Sequence, residues 1–357
     1  MQIGLIGLPQ AGKKTLLRLL TGVQATGSMA SNSAAIPGVC PVRDSRLDRL
    51  ATLYRPHQVT PATIQYLVLP DLTHDSTSNQ TLFKALPLVD VLGAVVRAFP
   101  DETVFHLDGA VDPRRDLSAI QAELLLNDLL FVEKRLERIA KEQTRRGGID
   151  RSREQALLAT LQAHLNRELP LRTLPLEAQA VPLLSGAPLL TRKPLLVILN
   201  VGEEAVSDPR LCEEIARGAA DQQVHLVQVS AKIEEELAQL DDATERAAFL
   251  KALGIAESAI DRLTRVSYEA LGLISYFTVG SDEVRAWTVR RGACAPEAGG
   301  AIHSDIARGF IRAELMKYDD LIALGSEQAV AGAGKASLKG KEYVVEDGDI
   351  LNFRFSV

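Results

Sequence analysis

A pair of glycines near the N-terminus constrains this chain more than any other feature. Gly7 and Gly12 frame the segment GLPQAGKKT, and Lys13 follows the second glycine. An apolar run at residues 3–6 precedes the segment, and an apolar-periodic stretch at about residues 13–20 follows it. Strand, GxxxxGK turn and helix in that order make a phosphate-binding loop. Its glycines let backbone N–H groups face phosphate oxygens, the helix N-terminus favours anions, and the lysine neutralises the β and γ charges. The residues expected at a bound phosphate chain are Gly7, Gln10, Ala11, Gly12, Lys13, Lys14 and Thr15.

Further strand-like runs at residues 64–69, 91–96, 195–199 and 224–229 alternate with helical segments. That pattern predicts an α/β domain with a largely parallel sheet. The interval 117–191 differs. Leu129, Val132, Leu136 and Ile139 form a heptad-like stripe, Gly147-Gly148 breaks it, and Leu158, Leu161 and Leu165 resume it. Charged residues fill the positions between, which predicts an antiparallel helical hairpin inserted into the α/β domain. Its tip, KEQTRRGGIDRSR, is rich in basic residues and reads as a solvated turn or a contact for RNA or an acidic partner. From about residue 276, short strands at 276–279, 286–289, 343–345 and 351–355 flank a helical stretch at 302–315, and AVAGAGKAS reads as a surface loop. A compact α+β module is expected there.

Composition limits the function classes. The 357 residues suit two or three domains. A net charge of −6 and 4% aromatic residues argue against a nucleic-acid-coating protein and against an extensive base-stacking platform. Cys40, Cys212 and Cys294 are too few and too scattered for a disulfide framework or a CxxC metal site. No signal-peptide pattern opens the chain, and its apolar runs are strand-length, so a soluble cytoplasmic protein is expected.

The metal side of the loop departs from the motif. The position after Lys13 normally carries Ser or Thr, whose hydroxyl ligates Mg²⁺. Here it is Lys14, which has no lone pair when charged and repels a divalent ion. Lys14 either places its own charge near the phosphates or points to solvent. Thr15 lies about 100° further round the helix. The strand IQYLVLPDL allows two registers against the DxxG motif of GTPases. In the favoured one Val68 and Asp71 replace its Asp and Gly. In the other Asp71 is a carboxylate at the strand end. Thr15 and Asp71 are thus the remaining candidates for a Mg²⁺ ligand, and fast hydrolysis is not expected.

These segments, with later ones, resemble the Obg-like ATPases of the YchF type. GLPQAGKKT is similar to the family's GLPNVGKST. GVCPVRDSRLDRLATLYRP, DGAVDPRRDLSAIQAELLLNDLLFVEKRLE and SAKIEEELAQLDD resemble further family segments. YFTVGSDEVRAWTVRRGACAPEAGGAIHSDIARGFIRAEL and KGKEYVVEDGDILNFRF resemble its C-terminal module, of the TGS class. The resemblance implies a Ras-like nucleotide-binding domain at 1–116 and 192–275, a helical coiled-coil insertion at 117–191, and a ubiquitin-like β-grasp TGS domain at 276–357. It also implies ATP or GTP as the bound nucleotide and a ribosome or other ribonucleoprotein as partner. Asn200 and Glu203 match the family's variant of the NKxD base-recognition motif, and Ser230, Ala231 and Lys232 its fifth nucleotide motif. His106, in VFHLDGAVDP, matches the family's proposed catalytic histidine. Gln10 replaces an Asn that is a possible monovalent-cation ligand. The segment MASNSAAIPG shows no evident switch threonine, and THDSTSNQTLFKALPLV lacks the glycine-rich pattern of the second switch. Two readings follow for a diverged paralogue: a weak NTPase or nucleotide-dependent switch, and a pseudo-NTPase scaffold acting through its helical and C-terminal modules. A third is a small-molecule sensor working through the latter.

Overall fold

The computed structural model describes residues 1–22, 35–75, 79–143, 151–219, 222–240 and 242–356. The switch segment MASNSAAIPG and the basic hairpin tip fall largely outside these residues. The chain forms two compact units. One takes Met1–Gly38 and Gln65–Val266; the other takes Val39–Ile64 and Ser267–Val357.

The chain opens with β1 (Gln2–Ile6), α1 (Lys13–Thr21), β2 (Ile36–Pro41), α2 (Ser45–Tyr54), β3 (Gln58–Thr60), β4 (Thr63–Val68), α3 (Gln80–Ala85) and β5 (Val91–Ala98). Next come two long helices, α4 (Pro113–Gln143) and α5 (Ser152–Leu165). The first unit closes with β6 (Leu195–Val201), α6 (Arg210–Gly218), β7 (Val224–Val229), α7 (Ala231–Ala238), α8 (Ala243–Ala252) and α9 (Ala259–Ala270). In its sheet, β4, β1, β5, β6 and β7 lie in that order and run parallel. The strands expected from the sequence at 64–69, 91–96, 195–199 and 224–229 are all present, within a residue or two. β6 is buried along its whole length, and β5 at every position but the last. Central parallel strands are covered on both faces, so they read as continuous apolar runs instead of alternating ones.

α4 serves two cores. Leu117, Ile120 and Leu124 pack with Leu92, Val96, Leu195 and Leu199 of the sheet. Further along, Val132 and Ile139 meet Leu158, Leu161 and Leu165 of α5 in a separate cluster. Arg135 donates to Glu154 at 2.6 Å, and Gln162 reaches Glu133 at 3.5 Å, so the two helices run antiparallel. The helix begins at Pro113, a residue suited to a first helical turn.

A buried carboxylate fixes the return from the helical pair to the sheet. Asp128 of α4 accepts from the backbone N–H groups of Leu190 and Thr191 and from the Thr191 hydroxyl, each at 2.7 Å. Burial pushes the Asp128 carboxyl up to about 6, against the hydrogen bonds from Thr191 and Leu190.

The second unit contains β8 (Leu273–Thr278), β9 (Glu283–Arg290), α10 (Ala295–Ile302), α11 (Ser304–Arg308), β10 (Phe310–Lys317), α12 (Tyr318–Leu324), α13 (Glu327–Gly332), β11 (Ser337–Lys339) and β12 (Asp349–Phe355). Its sheet has the order β11-β10-β12-β8-β9-β3. Tyr276, Phe310, Leu315 and Leu351 pack with Ala295 and Ala298 of α10 in its core. The last strand in that order comes from the early segment. β3 pairs parallel with β9, Val59 opposite Val284. Arg46, beside the Asp44 cap of α2, also binds Asp347 at 2.8 Å and lies 5.3 Å from the Phe277 ring centre. The segment carrying α2 and β3 therefore packs with the C-terminal unit. The cause is a pairing of a three-residue strand with one more than 200 residues away, which no local pattern announces.

Three local expectations also change. The helical stretch at 302–315 is split: α11 ends at Arg308, and Phe310–Lys317 is a strand. Ala313 and Leu315 point inward with Glu314 between them, a period of two that a bulge between Phe310 and Arg312 obscures. Residues 343–345 make only an isolated bridge, Val344 to Cys294, and part of AVAGAGKAS is helical in α13. Among the described residues, Cys40, Cys212 and Cys294 form no disulfide. Among the described residues no helix is long and apolar enough to cross a membrane.

Replacing Asp128 by Ala strands three buried donors, and a loss of about 3 kcal/mol in unfolding free energy is expected. The folded carboxyl titrates above its unfolded value, so its contribution is full below about pH 4 and lost as pH rises through about 6. Denaturant melts of wild type and Asp128→Ala across pH 4–7 check both: the difference between them narrows with rising pH.

Candidate nucleotide site

The phosphate loop connects β1 to α1, and two of its glycines are sterically required. Gly7 has φ +150°, and a Cβ there would lie 2.3 Å from the Val95 carbonyl oxygen. Gly12, the N-cap of α1, has φ +97°, and a Cβ there would lie 2.3 Å from Asn200 Nδ2. Gln10 adopts φ +61°, a left-handed conformation unusual for a residue with a side chain. The first-turn N–H groups of a helix face out of its N-terminal end, where they favour an anion. In α1 that turn carries Lys13, Lys14 and Thr15.

Lys13 is the centre of the site. It is 5% exposed. Its ammonium donates to Gly7 O at 2.7 Å and Leu8 O at 2.8 Å, and pairs with Asp71 Oδ1 at 2.7 Å. Burial lowers its pKa, the Asp71 carboxylate opposes that shift, and Lys14 adds to it. The pocket over the loop has a volume of about 160 Å³ and is lined by Gln10–Thr15, Ile36 and Val68–Asp71. The expected phosphate-contacting residues from Gln10 to Thr15 are thus brought together. Asp71 joins them as a partner of Lys13.

The described residues of the set fit a bound Mg²⁺ poorly: Thr15 lines the pocket but stands one residue past the ligand position, about 100° further round α1, and Asp71 is committed to Lys13. The position after Lys13 offers an ammonium. Val68, the last residue of β4, is 3% exposed and apolar. Asp71, the one carboxylate among the described residues of the pocket lining, is already bound to Lys13.

Asn200 braces the loop. At the end of β6, it donates from Nδ2 to Ala11 O at 3.1 Å and accepts the Ala231 N–H at 3.2 Å. The side chain is buried and ties the loop to the start of α7. Glu203 and Lys232 form an ion pair with each other, and both are exposed. Ser230 is fully buried, and its hydroxyl has no hydrogen-bond partner among the described residues.

His106 stands elsewhere. It is not in the lining of the loop pocket. Its Nε2 lies 2.8 Å from Asp116 Oδ2, and its Nδ1 accepts the Asp108 N–H at 3.1 Å. With Nδ1 an acceptor, Nε2 carries the proton and donates to Asp116. Both ring nitrogens are therefore engaged and the imidazole is 5% exposed, so it presents no basic nitrogen to a water. Arg115 donates to Asp116 at 2.8 Å, and His74 reaches Asp108 at 2.7 Å. The hydrogen bond from His74 holds the Asp108 carboxyl below its usual range. His106, Asp108 and Asp116 have ligating atoms within 4.8 Å of one another, but the ring is already satisfied by its protein partners. Sequence reading missed Asp116. Its only signal was its place in the first turn of a helix that opens at VDP.

A parallel sheet, a glycine-bounded loop at the strand-to-helix turn and a buried loop lysine define a P-loop NTPase fold with an added C-terminal unit. Comparison with known proteins refines this. A family model described as YchF-GTPase_C, "Protein of unknown function (DUF933)", matches residues 273–356. The "Ribosome-binding ATPase YchF" of Bacillus subtilis is 39% identical over 99% of both chains. "Obg-like ATPase 1" of Oryza sativa subsp. japonica is 34% identical over 100% of this chain and 92% of its own. The solved YchF GTPase of Schizosaccharomyces pombe superposes with a TM-score of 0.85 at 32% identity, covering 99% of this chain and 97% of its own. The chain belongs to the YchF/Obg-like ATPase family.

Replacement of Gly12 by Ala forces a side chain into the left-handed region and against Asn200. A loss of about 2 kcal/mol in stability is expected from strain of this kind. Thermal melting checks it, with Gly22→Ala, at φ +65° and with open space around it, as the strain-only control.

Proposed function

We propose that this protein binds ATP or GTP in the loop Gly7–Thr15 and acts as a slow NTPase or nucleotide-dependent switch. The observation that carries the reading is the built cradle: Gly7 and Gly12 where no side chain fits, Lys13 buried under the loop, and Asn200 bracing the loop from β6. On this reading Gly12 to Thr15 hold the phosphates, while Glu203, Ser230, Ala231 and Lys232 border the base. The names of the relatives support ribosome association, with the antiparallel helical pair as a coiled-coil arm and the C-terminal unit as a TGS domain making the contacts. Turnover is slow because the described residues of the loop offer no fitting Mg²⁺ ligands, and Mg²⁺ normally offsets the developing charge. His106 acts here as a positioning residue for the start of α4.

Calorimetric titration with ATP, GTP and ADP, in Mg²⁺ and in EDTA, tests the binding claim. Micromolar binding that survives EDTA is expected, weakening at least tenfold in Lys13→Ala, which removes the buried positive charge and leaves Asp71 uncompensated beside the phosphates. Absence of binding by any nucleotide contradicts it.

A second reading, a pseudo-NTPase scaffold, is favoured by one observation: the Lys13 ammonium already has three acceptors. Ribosome pelleting with and without nucleotide separates the two. A strong nucleotide dependence supports the switch; equal pelleting supports the scaffold.

A further inference from the structure

We propose that Asp71 holds the place of the γ-phosphate on Lys13, so that the site takes nucleoside diphosphates in preference to triphosphates. This rests on the nucleotide-binding reading above.

An ammonium has three N–H donors. Those of Lys13 are matched by Gly7 O at 2.7 Å, Leu8 O at 2.8 Å and Asp71 Oδ1 at 2.7 Å. Two of these acceptors are backbone carbonyls of the loop itself. The third is a side chain that is 24% exposed, whereas the lysine side chain is 4% exposed. A phosphate-loop lysine serves the β- and γ-phosphates. Asp71 is therefore an anion of the chain's own, seated on the donor that a γ-phosphate would use, and it lies in the lining of the same pocket of about 160 Å³.

A triphosphate must displace this carboxylate to reach Lys13. The displaced carboxylate would then lie beside the γ-phosphate, like charge against like charge, with no fitting metal ligands among the described residues around them. Lys14 lines the same pocket and relieves only part of that repulsion. A diphosphate ends at the β-phosphate. It gives up its own contact with Lys13 but keeps the N–H groups at the N-terminal end of α1, and Asp71 stays on the lysine. Asp71 follows Val68 of β4 by two intervening residues, and the Leu72 N–H donates to Gly7 O at 3.1 Å, so backbone bonding holds it beside the loop. Sequence reading took Asp71 either as a lost motif glycine or as a metal carboxylate. The geometry assigns it a third role, as counter-ion.

The test is calorimetric titration of the full chain in EDTA with ADP and ATP, for wild type, Asp71→Asn and Asp71→Glu. Asn keeps shape and acceptor but removes the charge. Glu keeps the charge. Wild type is expected to bind ADP at least tenfold more tightly than ATP. Asp71→Asn is expected to gain at least tenfold for ATP while ADP stays within threefold, and Asp71→Glu to retain the diphosphate preference. Thermal melting of each variant reports folding. Equal affinity for ADP and ATP in wild type, unchanged in Asp71→Asn, overturns the proposal while leaving nucleotide binding intact. Failure of wild type and Asp71→Asn alike to bind either nucleotide overturns the nucleotide reading, and this proposal with it.

Discussion

A buried ammonium organises the first unit. Removing a charged amine from water is costly unless acceptors replace the lost hydration. The chain supplies three to Lys13, two of them carbonyls at the start of the phosphate loop. The loop must therefore curl back over its own lysine. That curl requires the glycine at position 7, packed against the Val95 carbonyl of the neighbouring strand, and places Gly12 where Asn200 can reach the Ala11 carbonyl. Loop, sheet and helix α7 are thereby fixed relative to one another by polar contacts, while the apolar strands β5 and β6 provide the buried platform beneath.

The same arrangement explains how the site has changed without losing its shape. A metal-assisted site needs hydroxyl and carboxylate ligands. This one has two lysines, a valine and one aspartate at the corresponding places. Charge is still balanced locally, because Asp71 faces Lys13 directly. The cradle therefore needs no metal to be a low-energy structure. On the reading proposed above, its chemistry shifts from transition-state stabilisation towards anion binding, where positive charge and helix-end N–H groups are sufficient.

Much of this was legible in the sequence. The loop motif located the turn between β1 and α1 to the residue, since GxxxxGK has only one common structural solution between a strand and a helix. The stripe of Val132 and Ile139 with Leu158, Leu161 and Leu165 located the helical pair. What escaped was non-local. β3 carries only Gln58, Val59 and Thr60, and its identity as a strand comes from β9. The strand Phe310–Lys317 hid its period of two behind a bulge. Asp71 and Asp116 carry ordinary turn and first-turn signals. Their partners, Lys13 and His106, are set by the fold and not by spacing.

The central claim is that the loop is a working anion cradle with an internal occupant. A crystal structure of the full chain grown with ADP in EDTA tests it most directly. The account predicts the β-phosphate within hydrogen-bonding distance of the loop N–H groups of residues 11–14, with Asp71 still paired to Lys13. An ADP bound elsewhere, or seated in the loop with Asp71 swung away and the phosphate on Lys13, would contradict it.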